Sequence, residues 1–168
     1  MNLMVNNLSV LVTGATGFLG KELAAHFLDR DSYSLLLASR KKPTLNSERY
    51  QYVSLPEDIA DFDWRAHLKD VDVVVHTIAR AHILKDDPAK SKEEFNRVNN
   101  ISCLNLARQG LEVGVKRFIF ISSIGVNGAT TDSKSFNESD REQPHSDYAF
   151  SKFNAENELK KLCVASTM

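Results

Sequence analysis

This sequence of 168 residues has few cysteines, only short hydrophobic runs, and nearly equal numbers of positively and negatively charged residues. The longest apolar runs, such as residues 35–38 and 73–75, are far too short to span a bilayer, which argues against a membrane-spanning segment. The 21 lysines and arginines against 22 aspartates and glutamates give a net charge of −1, which disfavours a nucleic acid or an anionic membrane as partner. The N-terminal residues have neither a basic start nor a long apolar stretch, so the pattern does not predict a secretory signal there.

The 2 cysteines, Cys103 and Cys163, each lie in an apolar, helix-like segment. With no CxxC pair they predict neither a disulfide nor a metal site, and a reduced, cytoplasmic setting fits. We expect His76, at the end of an apolar run, to be a packed and hydrogen-bonded residue, and the other histidines show no ligand spacing. We therefore predict no metal. The composition, 42% hydrophobic and 26% charged, is that of a globular protein, and the length suits one domain over residues 1–168.

Strand-like and helix-like segments alternate along the chain. Short apolar runs, several of them bounded by glycine or proline, predict strands at residues 9–13, 33–38, 51–55, 71–76 and 117–122. Apolar residues at helical spacing predict helices at residues 18–28, 61–68, 91–109 and 148–163. In the third of these helices the residues expected on one face are Phe95, Val98, Ile101 and Leu104. Because several of the strands are apolar throughout, the pattern predicts an α/β fold of the Rossmann type, with a doubly wound parallel sheet covered by helices on both faces.

A glycine-rich turn joins the first strand to the first helix, and its sequence is GATGFLG. Glycine at a tight turn lets the backbone approach a pyrophosphate, and the helix N-terminus offers N–H groups and a positive dipole end to the anion. Gly20, in the first helical turn, would let the helix pack closely on the strand. An ordinary glycine-rich turn is the alternative, but the strand–turn–helix context favours dinucleotide binding. The residues predicted to hold the dinucleotide here are Gly14, Thr16, Gly17, Phe18, Leu19 and Gly20.

The end of the second strand bears on the choice of cofactor. An acidic residue there would bind a ribose 2′-hydroxyl, but this chain has Arg40 followed by Lys41 and Lys42, and arginine suits a 2′-phosphate. This favours NADP over NAD, with a solvated basic loop as the alternative. After the third strand, Asp58 and Ile59 could place a carboxylate and an apolar side chain against an adenine ring, although an aspartate in a loop is more often a turn or cap residue.

The chemistry is predicted to lie on the last helix. Tyr148 and Lys152 are four residues apart and so share one helix face. A free phenol is a poor base at neutral pH, but a neighbouring cation favours the phenolate and makes proton exchange with a sugar or alcohol hydroxyl feasible. Ser122 and Ser123 follow the fifth strand and can hydrogen-bond the same oxygen. Because ligands bind at the carboxyl ends of strands in open α/β sheets, we expect these groups to converge on one crevice.

Together these motifs resemble the extended short-chain dehydrogenase/reductase family, and within it the nucleotide-sugar epimerases, dehydratases and 4-keto reductases. The resemblance runs from the first strand to the last helix. It implies that Ser123 is the catalytic serine, that Tyr148 is the acid/base, and that Lys152 both tunes Tyr148 and holds the nicotinamide ribose. It also places Asn99 near the active site as a cofactor contact. Glu138 resembles a recurrent family carboxylate, for which we predict no catalytic role.

Two departures from the family pattern bear on the reaction. The small-residue stretch after the fourth strand, from which Thr77 and Ala79 are expected to contact the cofactor, is interrupted by Ile78. Ile124 and Gly125 stand where the dehydratases of the family have an acidic pair, so an epimerase or a keto-reductase is preferred to a dehydratase.

A third departure is length, because members of this family are about twice as long, with a sixth strand and a substrate domain after the tyrosine helix. We interpret this chain as a cofactor domain or a truncated product that stops before that strand, and expect it to bind dinucleotide without turning over a nucleotide sugar. The predicted function is that of a UDP-sugar 4-epimerase or 4-keto reductase, with a non-catalytic NAD(P)-binding regulatory module as the alternative. The resemblance further implies a homodimer formed through the helices at 91–109 and 148–163.

Overall fold

The computed structural model describes residues 7–47, 49–81, 88–131 and 134–166. The chain forms two compact units. The first holds the chain up to Ile78 together with Leu106–Ile121, and the second holds Ala79–Asn105 together with the chain from Ser122 onward. The prediction that residues 1–168 make one Rossmann domain stays a prediction.

The first unit contains a sheet of five parallel strands in the order β3-β2-β1-β4-β5. Strand β1 is central and pairs with β2 on one side and β4 on the other, so that Val12 lies between Leu37 and Val75. This is the predicted doubly wound order, in which the chain first moves outward from β1 to β3 and then crosses to the other side. The strand bounds are Leu8–Thr13 for β1, Tyr33–Ser39 for β2, Gln51–Ser54 for β3, Val73–His76 for β4 and Arg117–Phe120 for β5.

Apolar clusters cover both faces of the sheet. On one face, strand residues pack with Ala24 and Leu28 of helix α1 (Phe18–Leu28). On the other, they pack with Trp64, with Leu68 of the short helix α2 (Arg65–Leu68), and with Leu106. Because both faces are covered, the buried residues of β1 and β2 before Thr13 and Ser39 are all apolar rather than alternating, which is why their sequence pattern identified them.

Helix α2 is shorter than the helix expected at residues 61–68. The side chain of Asp63 accepts a hydrogen bond from the backbone N–H of Arg65 at 3.1 Å, and the N–H of Trp64 donates to the side chain of Gln109 at 2.6 Å. Aspartate favours this kind of local bond over a helix interior, so the helix begins only after it. Strand β5 ends at Phe120, two residues before the expected end, so Ile121 and Ser122 lie beyond it.

The helices of the second unit depart from the continuous helix expected at residues 91–109. Helix α3 (Pro88–Asn96) passes into a π-helical turn (Arg97–Ile101), and helix α4 (Ser102–Val113) follows and continues into the first unit. Phe95 and Leu104 are buried as predicted, but Ile101 is 41% exposed and Asn99 is fully buried. The wider turn changes which side chains face inward, and the apolar pattern alone does not show this.

A 3₁₀ turn (Ile124–Val126) and helix α5 (Asp147–Ser166) complete the second unit. Helix α5 packs against α3, the π turn and the 3₁₀ turn. In the part of the chain that the structure describes, no helix is both long enough and apolar enough to cross a membrane. The cytoplasmic setting stays a prediction.

Candidate functional site

The glycine turn after β1 has a backbone that only glycine adopts without strain at its first position. Gly14 has φ of +71°, and its N–H donates to the carbonyl of Ala38 at 2.8 Å. The N–H of Gly17 then donates back to the carbonyl of Gly14 at 2.8 Å, which closes the turn. A Cβ on Gly14 would also lie 2.7 Å from the hydroxyl of Thr77. The sequence prediction of a tight turn at Gly14 is confirmed.

Helix α1 approaches this turn so closely that Gly20 cannot carry a side chain. A Cβ at Gly20 would lie 2.1 Å from the carbonyl oxygen of Gly14, which is a backbone atom and cannot rotate away. The helix begins without a side-chain cap at Gly17, and its exposed start includes Phe18 at 82% exposure and Leu19 at 47%. An uncapped helix start beside a glycine cradle fits the phosphates of a dinucleotide. Thr16 is exposed at the same turn.

Thr77 supports the turn from the end of β4. Its hydroxyl donates to the carbonyl of Thr13 at 2.6 Å, and the hydroxyl of Thr13 shares a 2.8 Å hydrogen bond with Nδ1 of buried His76. The ring of His76 also stacks on Phe120. His76 is therefore the packed and hydrogen-bonded residue that the sequence predicted. Among the described residues, no group of three or more histidine, cysteine or acidic side chains could hold a metal ion.

Arg40, predicted to choose the cofactor, follows β2 and is already engaged. Its guanidinium donates to the carboxylate of Glu57 at 2.9 Å, and both side chains are exposed. A 2′-phosphate at Arg40 would therefore meet Glu57 as well. Glu57 lies 17 residues after Arg40, and no local pattern in the sequence links the two.

Asp58 and Ile59 occupy different environments. The carboxylate of exposed Asp58 accepts a hydrogen bond from the N–H of Ala60 at 3.0 Å, which is the turn role weighed as the alternative. Ile59 is only 7% exposed and belongs to the apolar cluster with Trp64. The structure thus makes Ile59 a core residue, and its contact with an adenine ring stays a prediction.

The second unit contains Ser123, Tyr148 and Lys152. Tyr148 lies in the first turn of α5 and is partly exposed, whereas Lys152, one turn later, is 1% exposed. Burial lowers the pKa of Lys152 to about 8, an effect partly offset by the nearby Cys103 and Glu156. Burial also raises the pKa of the Cys103 thiol to about 12, so that Cys103 is a neutral neighbour at physiological pH.

Ser123 caps the 3₁₀ turn that packs against the start of α5. Its Oγ accepts a hydrogen bond from the N–H of Gly125 at 3.1 Å. A Cβ on Gly125 would lie 3.3 Å from that Oγ and 3.6 Å from Cβ of Ala149, the residue after Tyr148. The Ser123 turn therefore lies directly beside the first turn of α5. The bond from Gly125 uses a lone pair of the serine oxygen and not its proton, so the hydroxyl can still donate.

Asn99 connects three parts of the second unit through its buried amide. Its Oδ1 accepts from the N–H of Arg80 at 2.7 Å, and its Nδ2 donates to the carbonyl of Arg80 at 3.0 Å and to Oγ of Ser151 at 2.9 Å. Ser151 in turn donates to the carbonyl of Tyr148 at 2.7 Å. Both amide hydrogens of Asn99 are thus used within the protein, so its assignment as a cofactor contact stays a prediction and its visible role is to fix α5. Ala79, beside Arg80, is exposed.

Sequence reasoning missed Arg80, Ser151 and Glu156. The guanidinium of Arg80 lies over the ring of Phe95, 5.9 Å from its centroid, and Phe95 meets the ring of Tyr148 edge-on at 6.2 Å. Glu156 accepts a short hydrogen bond from Ser122. The repeated spacing of four from Tyr148 through Lys152 to Glu156 was the available signal for the last of these.

The two units thus hold different sets of predicted residues. The first contains the glycine turn, Arg40, Asp58, Ile59 and Thr77. The second contains the predicted catalytic residues together with Ala79 and Asn99. A parallel doubly wound sheet with a glycine cradle at the end of β1 defines a dinucleotide-binding Rossmann fold.

Comparison with known proteins narrows this class to one family. The model of the NAD dependent epimerase/dehydratase family matches residues 10–167, and the chain belongs to this family. It is 37% identical over 161 residues to UDP-glucose 4-epimerase of Vibrio cholerae, which covers 95% of this chain and 48% of that protein. It is 32% identical over 160 residues to a dTDP-D-glucose 4,6-dehydratase of Mus musculus, covering 88% and 44%. The chain thus spans about half the length of the curated relatives it matches.

Solved structures agree with this placement. UDP-N-acetylglucosamine 4-epimerase from Methanobrevibacter ruminantium, in complex with UDP-N-acetylmuramic acid, superposes with a TM-score of 0.79 at 26% identity, over 97% of this chain and 53% of that one. UDP-glucuronic acid 4-epimerase from Bacillus cereus, in complex with NAD, gives a TM-score of 0.75 at 26% identity, over 95% and 52%.

Proposed function

We propose that this protein acts as an NAD(P)-dependent 4-epimerase of a nucleotide sugar, and that this nucleotide sugar is a UDP-sugar. The observation that carries the proposal is the buried Lys152 one helical turn from Tyr148, in the same compact unit as Ser123. The similarity to sugar-nucleotide 4-epimerases supports the substrate class. Acidic residues of the dehydratase kind are missing after Ser123, where Ile124 and Gly125 stand.

Each of the three side chains has a defined task in this reaction. Tyr148 accepts the proton of the C4 hydroxyl, and the Lys152 ammonium stabilises the phenolate that results. Ser123 donates a hydrogen bond to the same sugar oxygen, because its own lone pair holds Gly125. Tyr148 then returns the proton to the sugar oxygen, so that the phenol ends the reaction as it began.

The glycine turn is proposed to hold the pyrophosphate of the dinucleotide. Gly14 and Gly20 leave room for the backbone to approach the phosphates, and the uncapped start of α1 supplies N–H donors. When bound, the nicotinamide supplies the hydride acceptor and donor for C4. We expect binding of NADH to be measurable by fluorescence, and to be lost in Gly17→Val, which puts a branched side chain at the cap.

A 4-keto reductase would use the same residues with net transfer in one direction. A non-catalytic NAD(P)-binding regulatory module is the candidate from a different class. To separate enzyme from module, residues 7–166 can be joined to the second half of the Vibrio cholerae epimerase. We expect this chimera to interconvert UDP-glucose and UDP-galactose, and Tyr148→Phe to reduce its rate by about 10²–10⁴-fold while leaving NADH binding unchanged. A folded chimera that binds NADH but shows equal rates with and without Tyr148 would contradict the catalytic role.

We propose a preference for NADP over NAD, carried by Arg40. Arg40→Ala should weaken NADPH binding by about 10-fold or more, the effect of losing a charge-assisted bond of roughly 1.5–3 kcal/mol. Glu57→Gln should strengthen NADPH binding, because it removes the carboxylate now 2.9 Å from Arg40. Equal affinities for NADH and NADPH in titration calorimetry would overturn the preference.

We further propose that the 168-residue chain binds dinucleotide without turning over a nucleotide sugar. The matched relatives use about twice this length, and positioning of reactants supplies roughly 7–11 kcal/mol of a typical enzymatic barrier. The assay compares the chain with the Vibrio cholerae epimerase on UDP-glucose and UDP-N-acetylglucosamine, with product measured by chromatography. Comparable turnover would contradict this proposal.

A homodimer is proposed from the exposed apolar residues of the second unit. On α5, Phe150 is 46% exposed and Val164 is 64% exposed, and Ile101 of the π turn is 41% exposed. Helix faces of this kind fit the predicted pairing of the two helix segments with a second copy. Sedimentation should show a dimer at micromolar concentration, and Phe150→Asp should produce a monomer. A wild-type chain that is monomeric throughout would contradict the pairing.

A further inference from the structure

Glu156 lies on α5 one turn after Lys152 and two turns after Tyr148. Residues four apart on a helix are neighbours on one face, so the carboxylate continues the row formed by the phenol and the ammonium. Its side chain is 24% exposed, which makes it far less accessible than most acidic side chains of this chain that form ion pairs. A partly buried carboxylate in such a row calls for a role beyond solubility.

The carboxylate also reaches the chain segment that carries the catalytic serine. The hydroxyl of Ser122 donates a short hydrogen bond to Oε1 of Glu156. The next residue, Ser123, caps the 3₁₀ turn through its bond from the N–H of Gly125, and its carbonyl accepts from the N–H of Val126 at 3.0 Å. One carboxylate therefore links the serine segment to the helix that carries Tyr148 and Lys152.

The charge of Glu156 acts on Lys152. Burial is the largest influence on this lysine and lowers its pKa, while Cys103 on α4 and Glu156 on α5 act in the opposite direction. The thiol of Cys103 is itself protonated at neutral pH, which leaves Glu156 as the charged one of the two. The elements packed against α5 also carry Lys92, Glu93 and Glu94 on α3 and Arg97 in the π turn. Lys160 lies 3.9 Å from the other oxygen of Glu156.

We propose that Glu156 is a positioning residue for the active site, which holds the Ser122–Ser123 segment against α5 and supplies the negative charge that stabilises the buried Lys152 ammonium. The inference rests on the proposed function, in which Ser123, Tyr148 and Lys152 carry the chemistry. Glu156 itself exchanges no proton with the substrate. Its two tasks use different properties of the same group, the hydrogen-bond acceptor and the charge.

Two substitutions separate these tasks. Glu156→Gln keeps an oxygen that accepts from Ser122 and removes the charge, whereas Ser122→Ala removes the hydrogen bond and keeps the charge. The matched control is Glu158→Gln, which lies on the same helix and pairs with Lys161 at 2.8 Å. All variants are made in the 168-residue chain, and circular dichroism verifies that each is folded.

The first readout is the titration of Lys152, followed by NMR of lysine labelled with carbon-13 at Cε. We expect the midpoint to move to lower pH in Glu156→Gln and to stay in place in Ser122→Ala and Glu158→Gln. A midpoint that does not move in Glu156→Gln overturns the electrostatic part of the proposal. If that variant does not fold, Glu156→Asp, which retains the charge, should fold with a midpoint at or near the wild-type value.

The second readout is amide hydrogen exchange at Gly125 and Val126, whose N–H groups bond to Ser123. Exchange should become faster in Ser122→Ala and remain at the wild-type rate in Glu156→Gln and Glu158→Gln. Unchanged exchange in Ser122→Ala overturns the positioning part. Neither readout needs dinucleotide or substrate, so a chain that fails to bind NADH would contradict the proposed function and leave this inference to be judged by its own two measurements.

Discussion

The first and second units bury different kinds of side chain. Around the sheet, the fully buried positions are mainly aliphatic, for example Leu11, Val12 and Leu37. The second unit, by contrast, buries Asn99 and Lys152 almost completely, near Tyr148, the proposed acid/base. Aliphatic packing is non-directional, whereas a buried amide or ammonium needs particular partners at particular distances. The stability of the first unit should therefore depend mainly on how closely its atoms pack. The stability of the second should depend mainly on hydrogen bonds and charge.

The largest expected effect tests the close packing of the first unit, at the contact between helix α1 and the glycine turn. Gly20→Ala places a Cβ 2.1 Å from the carbonyl oxygen of Gly14, so the backbone of the turn or of α1 must move. We expect a loss of at least about 3 kcal/mol in the free energy of unfolding, measured in urea. The control is Gly110→Ala in α4, where the nearest atom to the new Cβ is a methyl of Val115 at 3.4 Å. Equal stability of the two variants would contradict the close approach.

The next effect tests the hydrogen bonds of the second unit. Asn99→Leu keeps the size of the side chain and breaks three buried hydrogen bonds, to the backbone of Arg80 and to Ser151. At about 1 kcal/mol for each bond, the expected loss is about 3 kcal/mol. Asn154→Leu on the exposed side of α5 should change stability by less than about 0.5 kcal/mol. Similar losses in both variants would show that the Asn99 bonds contribute little.

A pH dependence of stability in the alkaline range should come from Lys152 and Cys103 of the second unit. The pKa of Lys152 is about 8 in the folded chain and ordinarily 10.5, so between these values the unfolded chain binds more protons and stability rises with pH. Cys103 acts oppositely, because its pKa is raised from 9.0 to about 12 and stability falls as pH rises above 9.0. In Cys103→Ala the rise should therefore continue to about pH 10.5 and total about 3 kcal/mol. Lys152→Met should abolish this rise of stability with pH. A rise that persists in Lys152→Met would have to come from another titrating group.

The smallest effect is expected at the surface of the first unit. Arg40 and Glu57 form an exposed ion pair, and such pairs contribute about 0–1 kcal/mol. A double-mutant cycle with Arg40→Ala and Glu57→Ala should give a coupling below about 0.5 kcal/mol, decreasing further in high salt. A larger coupling would mean that the ion pair also holds the loop after β2 in place, beyond the attraction between two exposed charges.

The sequence predicted the first unit better than the second for the same physical reason. Strands β1 and β2 and helix α1 rest on apolar periodicity and on glycines, which are local signals, and their bounds agree with the structure within one residue at each end. The doubly wound parallel sheet followed from the alternation of apolar strands and helices, and the structure gives its strand order. The start of α2 was predicted too early, because the Asp63 side chain competes with the helix backbone for hydrogen bonds.

The second unit depends on contacts between distant parts of the chain. Asn99 was noted through a family resemblance, but its bonds to Arg80 and Ser151 have no sequence signature. The contact between Ser122 and Glu156 likewise joins residues 34 positions apart. The three residues of the predicted chemistry were found because Tyr148 and Lys152 keep a helical spacing and because two serines follow a strand. Their supporting groups could be found only in the folded chain.

The π turn at Arg97–Ile101 affects how this helical segment responds to the loss or gain of one residue. A π turn is equivalent to one extra residue within an α-helix, and each residue of an α-helix rotates the chain by about 100°. Deleting a single residue such as Val98 would therefore restore a regular helix and leave Phe95 and Cys103 close to their present relative orientation. The same deletion in the α-helix on either side would rotate one part of the segment by about 100° relative to the other. We therefore expect a one-residue deletion to be accommodated better within the π turn than beside it, with the hydrogen bond between Asn99 and Ser151 as the main loss.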